Sequence, residues 1–385
     1  MIKNLLSLIS LKISYKKIFL LPIETCSREY YKLDFGEQLK DKNSFVIITN
    51  VRTAHLIGFL LKKINWVGQN LNHKIFLSKR SISKDLYRNN SKIFLLDEEG
   101  GIFPEKYALS QWDGRIKNLE PNNQTFIFSW GKMQHEYCLE NNFVSFNVGH
   151  PRFFDKNSSL IMDKKLCSNS LLIMTSSTLL FRKIDKQKNY YLKTNQTKKY
   201  LDYLLSHSQK FISLVDLLSN NLEKDKIYIR LHPSENEDYY KLLFPKNSFP
   251  NLSIIKNEKL ETSLSRSKNI FHFNCTTSLD AYCYGIRTKN LSKEKYTVIE
   301  DLYNDNLENS IWLTYPCRTD KILDEIRKNS ISKKVRPIIL FTSIVSITIF
   351  EILLSLIKPS SYNKSKRGTF MPKKNKFRFF DTQIF

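Results

Sequence analysis

The chain has 385 residues and a formal net charge of +24, with 61 Lys and Arg against 37 Asp and Glu. That length allows two domains with cores of their own, and the charge favours a polyanionic partner, although the abundance of Lys, Asn and Ile throughout also fits a purely compositional origin. No nucleic-acid-binding module stands out, so nucleic acid is not expected as a partner; six cysteines without a C-x-x-C pair indicate neither a zinc site nor a disulfide framework and suit reduced thiols in a cytoplasm.

Residues 1–14 are too short and too polar to span a bilayer before Lys16 and Lys17, and no targeting role is expected of them. Ile18–Pro22 predicts a first strand, and the turn after it carries Glu24, Arg28 and Glu29. Phe45–Thr49 predicts a second strand, with a helix between the two, and Ile93–Asp97 a later one. Strands separated by helical stretches predict an α/β fold whose parallel sheets are covered on both faces.

Asp97, Glu98, Glu99 and Gly100 follow their strand directly, so three carboxylates stand at a strand end beside a glycine that permits close approach. Like charges at this spacing raise the pKa of at least one member, which suits Glu98 or Glu99 to general-base work. A solvated acidic turn is the competing reading. Thr125–Ser129 predicts another strand and Lys132–Glu140 a helix, and Asn147–Pro151 closes the first unit near residue 155. Arg152 fits a cleft and a surface salt bridge equally well.

Ser170–Thr175 opens the second unit as a strand whose hydroxyl-rich end, Thr175 to Thr178, reads as cleft lining or as a plain turn. Leu201, Leu204, Leu205, Ile212, Val215 and Leu218 fall on one apolar helical face, which is scaffold. Ile227–Leu231 predicts a buried strand, ended at once by His232 and Pro233. Asn269–Phe273 predicts another, followed by Asn274 to Ser278 and a helix from Leu279 to Tyr284 closed by Gly285. Thr276, Thr277 and Ser278 offer hydroxyls and free N–H groups at the positive end of that helix. Ligands of open α/β sheets sit at the carboxyl ends of strands, so His232 and Thr276–Ser278 together predict one phosphate-holding pocket.

The segments containing Arg230, His232, Pro233, Ser234 and Glu235, and Asn274 to Ala281, resemble the bacterial surface carbohydrate biosynthesis proteins, GT-B-type glycosyltransferases related to capsule and lipopolysaccharide enzymes. Leu21–Glu29, Asp97–Gly100 and Gly149–Asp155 agree with the same pattern, in the family's order, over most of residues 15 to 300. Asp280 stands where the family usually has Glu, and His150 where it has Asn. The resemblance implies two Rossmann-like domains facing a central cleft: an acceptor-side domain over 1–155 and a nucleotide-sugar-binding domain over 156–335. It implies Glu98 or Glu99 as the catalytic base and Arg230, His232, Pro233, Glu235, Asn274, Thr276, Thr277 and Ser278 as the donor-binding set. Glu24, Arg28, Glu29 and Arg152 are further cleft candidates. The donor it points to is a CMP-activated acidic sugar such as Kdo or a sialic-acid relative, transferred to a surface glycan or lipid-linked acceptor without metal or other cofactor. Two other functions compete: a CDP-polyol phosphotransferase of the teichoic-acid type, and a non-catalytic membrane-associated assembly protein.

Residues 336–385 form a third part. Ile338–Ile357 is an apolar run interrupted by hydroxyls and by Glu351, whose charge is costly in a bilayer; a span, an interfacial helix and a core helix all fit it. The tail that follows interleaves Lys and Arg with Phe370, Phe377, Phe379 and Phe380, a pattern that fits an anionic membrane surface and equally a disordered basic tail. The protein is expected in the cytoplasm, with peripheral attachment to the inner face of the membrane.

Overall fold

The computed structural model describes residues 14–23, 31–68, 81–97, 105, 108–153, 170–175, 198–222, 226–232, 235–256, 258–267, 269–272, 275–291, 297–298, 309–335 and 383–384. The first half alternates β1 (Ser14–Ile23), α1 (Tyr31–Leu39), β2 (Ser44–Asn50), α2 (Val51–Leu60), β3 (Asn65–Val67), α3 (Ile82–Arg88), β4 (Lys92–Leu96), α4 (Ala108–Ile116), β5 (Thr125–Ser129), α5 (Lys132–Glu140) and β6 (Val144–Asn147). β1 shows why its sequence is almost continuously apolar: Ile18 and Leu20 enter one core with α2 and α3, while Phe19, Leu21 and Ile23 enter the other with α1. A strand buried on both faces has no polar side to show. α2 begins where the Asn50 side chain accepts from the Thr53 N–H at 3.0 Å, an N-cap that satisfies an otherwise orphaned donor.

The six strands lie in the order β2-β1-β3-β4-β5-β6, all parallel. The second half builds a separate sheet from β7 (Ser170–Met174), α6 (Lys198–Asn221), β8 (Lys226–Arg230), α7 (Glu237–Leu243), β9 (Leu252–Ile255), α8 (Leu260–Leu264), β10 (Asn269–His272), α9 (Thr277–Cys283) and β11 (Thr288–Asn290). Its five parallel strands run β11-β10-β7-β8-β9, the doubly wound order that reverses direction between β7 and β10. Helices follow the reversal: Phe211 and Val215 of α6 and Tyr240 of α7 pack on one face, Leu264 of α8 and Ala281 of α9 on the other. A crevice opens where the helices change sides, at the carboxyl ends of β7 and β10. The expected α/β class holds, with parallel sheets in both halves; the first sheet has its own reversal, between β1 and β3, and is not of the same order as the second.

The chain then comes back to the first sheet. α10 (Thr319–Asn329) buries Ile322, Leu323 and Ile326 against Phe19, Phe35 and Val46, and β12 (Ser332–Val335) pairs antiparallel with the start of β1. The expected boundary at 335 therefore misplaces this part, because an amphipathic helix carries no mark of which sheet it will cover. β13 (Gln383–Ile384) adds antiparallel to β2. The apolar run 338–357 and the rest of the basic tail lie outside the described residues, among which no helix is long and apolar enough to cross a membrane.

The returning segment lies against the carboxyl edge of the first sheet at atomic contact. Met133 N–H donates to the Ile311 carbonyl at 2.9 Å, Thr314 N–H to that of Trp130 at 2.6 Å and Arg318 N–H to that of Val148 at 2.8 Å. Gly149, at φ +79°, has the Thr314 oxygen 2.2 Å from where a Cβ would stand. Gly149→Ala is expected to cost about 2 to 3 kcal/mol through strain and overpacking together. Gly114→Ala, inside α4 with no atom within 4 Å of the added methyl, should stabilise by about 0.5 to 1 kcal/mol. Urea midpoints of the two variants check the pair.

Candidate functional site

The carboxyl edges of the two sheets meet. Trp130 after β5 and Phe153 after β6 share a buried cluster with Leu279, Tyr282 and Cys283 of α9 and Leu313 of the returning segment. Across this seam Arg152 Nε donates to Asp280 Oδ1 at 2.9 Å, and its Nη2 reaches Oδ2 as well. The two-pronged geometry matches a guanidinium to a carboxylate, and both side chains are nearly buried, at 12% and 11% exposure. Arg152 thus proves to be an ion-pairing residue of the seam, with its guanidinium also over the Phe153 ring at 5.5 Å.

On the first-sheet side His150 is enclosed by Trp130 and Tyr31, at ring separations of 5.1 and 5.3 Å. Its Nδ1 accepts the Arg152 N–H at 3.2 Å. Burial, then the charges of Arg152 and Lys32, press its pKa well below the ordinary imidazole value, so it is neutral. Lys32 is fully buried and donates to the Pro22 carbonyl at 2.8 Å. Beside it stands Gly68, which follows β3, so the ammonium occupies the β1/β3 reversal of the first sheet. Lys32 was not anticipated, yet a signal existed: with Phe35, Gly36 and Leu39 it forms the buried stripe of α1, where a lysine is out of character.

Asp97, the first carboxylate of the acidic turn, is buried. Its Oδ1 accepts from Arg115 at 2.6 Å and its carbonyl from Trp130 Nε1 at 2.6 Å. It anchors the strand end from which the chain continues into Glu98 and Glu99. Those two residues, with Glu24, Arg28, Glu29, Pro233 and Asn274, lie outside the described residues.

On the second-sheet side the turn after β8 is tied inward. The His232 N–H is shared between Thr175 Oγ1 at 2.9 Å and Glu235 Oε2 at 2.8 Å, and the Glu235 N–H donates to the His232 carbonyl at 2.9 Å. The Glu235 carboxylate also accepts from the Thr175 hydroxyl and bonds to the Tyr240 hydroxyl, whose pKa is driven well up by burial and then by that carboxylate. Glu235, expected among the donor-binding residues, instead has a buried carboxylate occupied by the loop it belongs to; it positions His232. Thr175, left open between cleft lining and plain turn, is the floor of this knot at the end of β7.

Arg230 is tied as well. Its Nη1 and Nη2 donate to the Glu258 carbonyl, each at 3.1 Å, and Nη1 to Ser263 Oγ at 2.6 Å. Burial lowers its pKa, while Glu258, Cys275, Glu261 and Asp280 act in the opposite sense, so the cation stands within electrostatic range of the start of α9. There the Ser278 hydroxyl donates to the Cys275 carbonyl at 2.7 Å, whereas Thr276 and Thr277 keep partial exposure. His272, at the end of β10, is buried, accepts the Cys275 N–H at 3.3 Å and has its pKa lowered by burial to about 4. His232 and the start of α9 share one carboxyl edge: β7 lies between β8 and β10, which sets their strands two spacings or about 10 Å apart. Thr175 stands between them, at the end of β7. Among the described residues no group of three or more His, Cys, Asp or Glu could hold a metal ion.

No family model and no curated protein matches the chain. Among solved structures it is similar to a UDP-N-acetylglucosamine 2-epimerase from Rickettsia bellii, at 10% identity and a TM-score of 0.41, over 91% of this chain and 98% of that one. It is also similar to the wall teichoic acid polymerase TagF, at 10% identity and a TM-score of 0.36, over 81% and 82%. Likeness at this level leaves the chemistry of the site to the chain's own residues.

His150 and His272 give the seam a pH dependence. Unfolded, each imidazole takes up a proton near pH 6.5, whereas the folded His272 does so only near pH 4 and burial holds His150 well below the ordinary imidazole range. Between those values the unfolded chain binds more protons, so stability is full above about pH 6.5 and falls on acidification, by up to about 1.4 kcal/mol per pH unit for each histidine. Urea midpoints between pH 7 and 5 should fall accordingly, and His272→Asn should flatten the slope whatever it does to the midpoint at pH 7.

Proposed function

We propose that the chain is a glycosyltransferase of GT-B type that holds a nucleotide-activated sugar at the β7/β10 crevice and passes it to a glycan or lipid-linked acceptor lying against the first sheet. The observation that carries this reading is the meeting of two parallel sheets by their carboxyl edges. Each edge is where an open α/β sheet takes its ligand, so their apposition brings two ligands together across one seam.

Roles follow from the positions. The partly exposed Thr276 and Thr277 would offer hydroxyls to a donor phosphate on one side of Thr175; on the other, β8 brings the charge of Arg230 and then His232, whose backbone is fixed by Glu235. Either Glu98 or Glu99, carried just beyond the anchored Asp97, would accept the proton of the acceptor hydroxyl as its oxygen attacks the anomeric carbon. The bond from that carbon to the donor phosphate breaks, and the phosphate leaves with the electron pair into the field of Arg230 and the α9 start. No step needs a metal or other cofactor. The finer reading, drawn from the resemblance of the two loops, is a CMP-activated acidic sugar, which a cationic pocket suits.

The test begins with nucleotides. CMP at about 100 times its dissociation constant should stabilise the protein by about 2.7 kcal/mol by mass action, and His232→Ala should diminish that gain. Glu98→Gln or Glu99→Gln should lower turnover by about 10²- to 10⁴-fold with nucleotide stabilisation intact. Full activity in both Gln variants removes the base assignment. A transferred phosphate in the product would assign the CDP-polyol chemistry instead.

A further inference from the structure

The edge of the first sheet opposite the seam is strongly basic. β12 runs antiparallel to the start of β1, and the register sets Lys16 opposite Lys333. Like charges placed so weaken a strand pair. The Lys16 ammonium reaches the Lys42 carbonyl on one side, and Lys333 Nζ donates to the Lys62 carbonyl at 2.9 Å on the other, with Lys63 next in the chain. Lys42, Lys62, Lys63 and Lys334 are exposed. Among the described residues none of these six lysines pairs with a carboxylate. The nearby Asp41 spends its Oδ1 on the Asn43 N–H, and burial lowers the pKa of Lys333 with no anion to offset it.

A structural account covers part of the cluster. α2 ends at this edge, and its last carbonyls favour cations beside them, which suits Lys62 and Lys63. It gives no reason for Lys42, for Lys334, or for setting Lys16 against Lys333.

We propose that this face docks on an anionic lipid bilayer, its lysines lying among the headgroups. Charge complementarity alone would admit nucleic acid, and two observations favour lipid. Leu60, the last residue of α2 on the same rim, is 49% exposed. The chain also leaves this edge at Val335, and the sequence that follows joins Arg336 to the apolar run 338–357, for which a bilayer offers a partner and a polynucleotide offers none. The docked face lies at the amino ends of the strands and the seam at their carboxyl ends. The seven residue steps from Lys16 to Ile23 of β1 set them about 23 Å apart along the strand. The proposal does not depend on which reaction the seam performs.

Co-sedimentation of the full chain with vesicles of phosphatidylcholine alone, and with about one third phosphatidylglycerol, tests it. The intact protein should bind the anionic vesicles, lose that binding as salt rises, and leave the neutral ones. The combined variant Lys42→Glu, Lys62→Glu, Lys63→Glu and Lys334→Glu should bind the anionic vesicles at least about 10-fold more weakly. An equal charge change on the second half, Lys226→Glu, Lys246→Glu, Lys259→Glu and Lys289→Glu, should weaken it by no more than about threefold. Circular dichroism checks that each folds, and Lys→Gln at the same positions replaces any Glu variant that does not. Equal losses in the two variants, no loss in the first, or binding of RNA or duplex DNA that exceeds vesicle binding and disappears in the first variant would each overturn the proposal.

Discussion

The rest of the structure depends on the ion pair between Arg152 and Asp280. It joins a residue just beyond the first sheet to a helix of the second across 128 positions of sequence, so every ligand-facing group of one half is placed relative to the other through this contact and the apolar cluster around it. A pair this close to buried is a poor source of stability, because desolvation consumes most of the attraction. What it does supply is direction: the two parallel donors of a guanidinium fix the angle at which a carboxylate approaches, which an apolar contact would leave free. The returning segment at Ile311 to Arg318, hydrogen-bonded along the first sheet's edge, holds the same seam from the side.

The second constraint is the buried Glu235. A carboxylate in that position would be expensive alone, and it is tolerated because the His232 N–H, the Thr175 hydroxyl and the Tyr240 hydroxyl all point at it. Each of these donors comes from a different element: the turn after β8, the end of β7, and α7. The knot therefore fixes where β8 stops relative to β7. Satisfied networks in a low-dielectric interior specify one geometry more sharply than apolar packing does, which is what a loop presenting a single imidazole needs.

Much of this could be read before any coordinates. Apolar runs ended by His-Pro, by Asp-Glu-Glu-Gly and by a hydroxyl-rich stretch marked strand ends, because a doubly buried strand has to be apolar and its polar termination has to be abrupt. The side on which each polar group would be spent was not legible. Ser278 and Glu235 looked like ligand-binding residues and are turned inward, since the Cys275 carbonyl and the His232 N–H needed partners. The choice of Asp280 for Arg152 was equally hidden: both residues were visible, but nothing local records a contact between positions so distant. α10 shows the same limit for packing. Its apolar stripe announces a helix with one buried face and says nothing about which sheet receives it.

The polarity of the fold ties the two ends of the first sheet together. In a parallel α/β layer helices run against the strands, so helix starts gather at the carboxyl edge and helix ends at the amino edge. Positive partial charge therefore accumulates at the seam, where partly buried acids sit: Asp97 after β4 and Asp280 in α9, each matched to an arginine. Negative partial charge accumulates at the far edge, where Arg327 and Lys328 close α10 and Lys62 and Lys63 follow α2. At the seam each of these two acids is balanced by its arginine, while Lys32 and Arg230 add side-chain charge to the backbone field. At the far edge the lysines exceed what two helix ends neutralise, and the surplus faces outward. Six of the 61 Lys and Arg residues stand at this one edge, and charge gathered so gives the proposed docking face its direction.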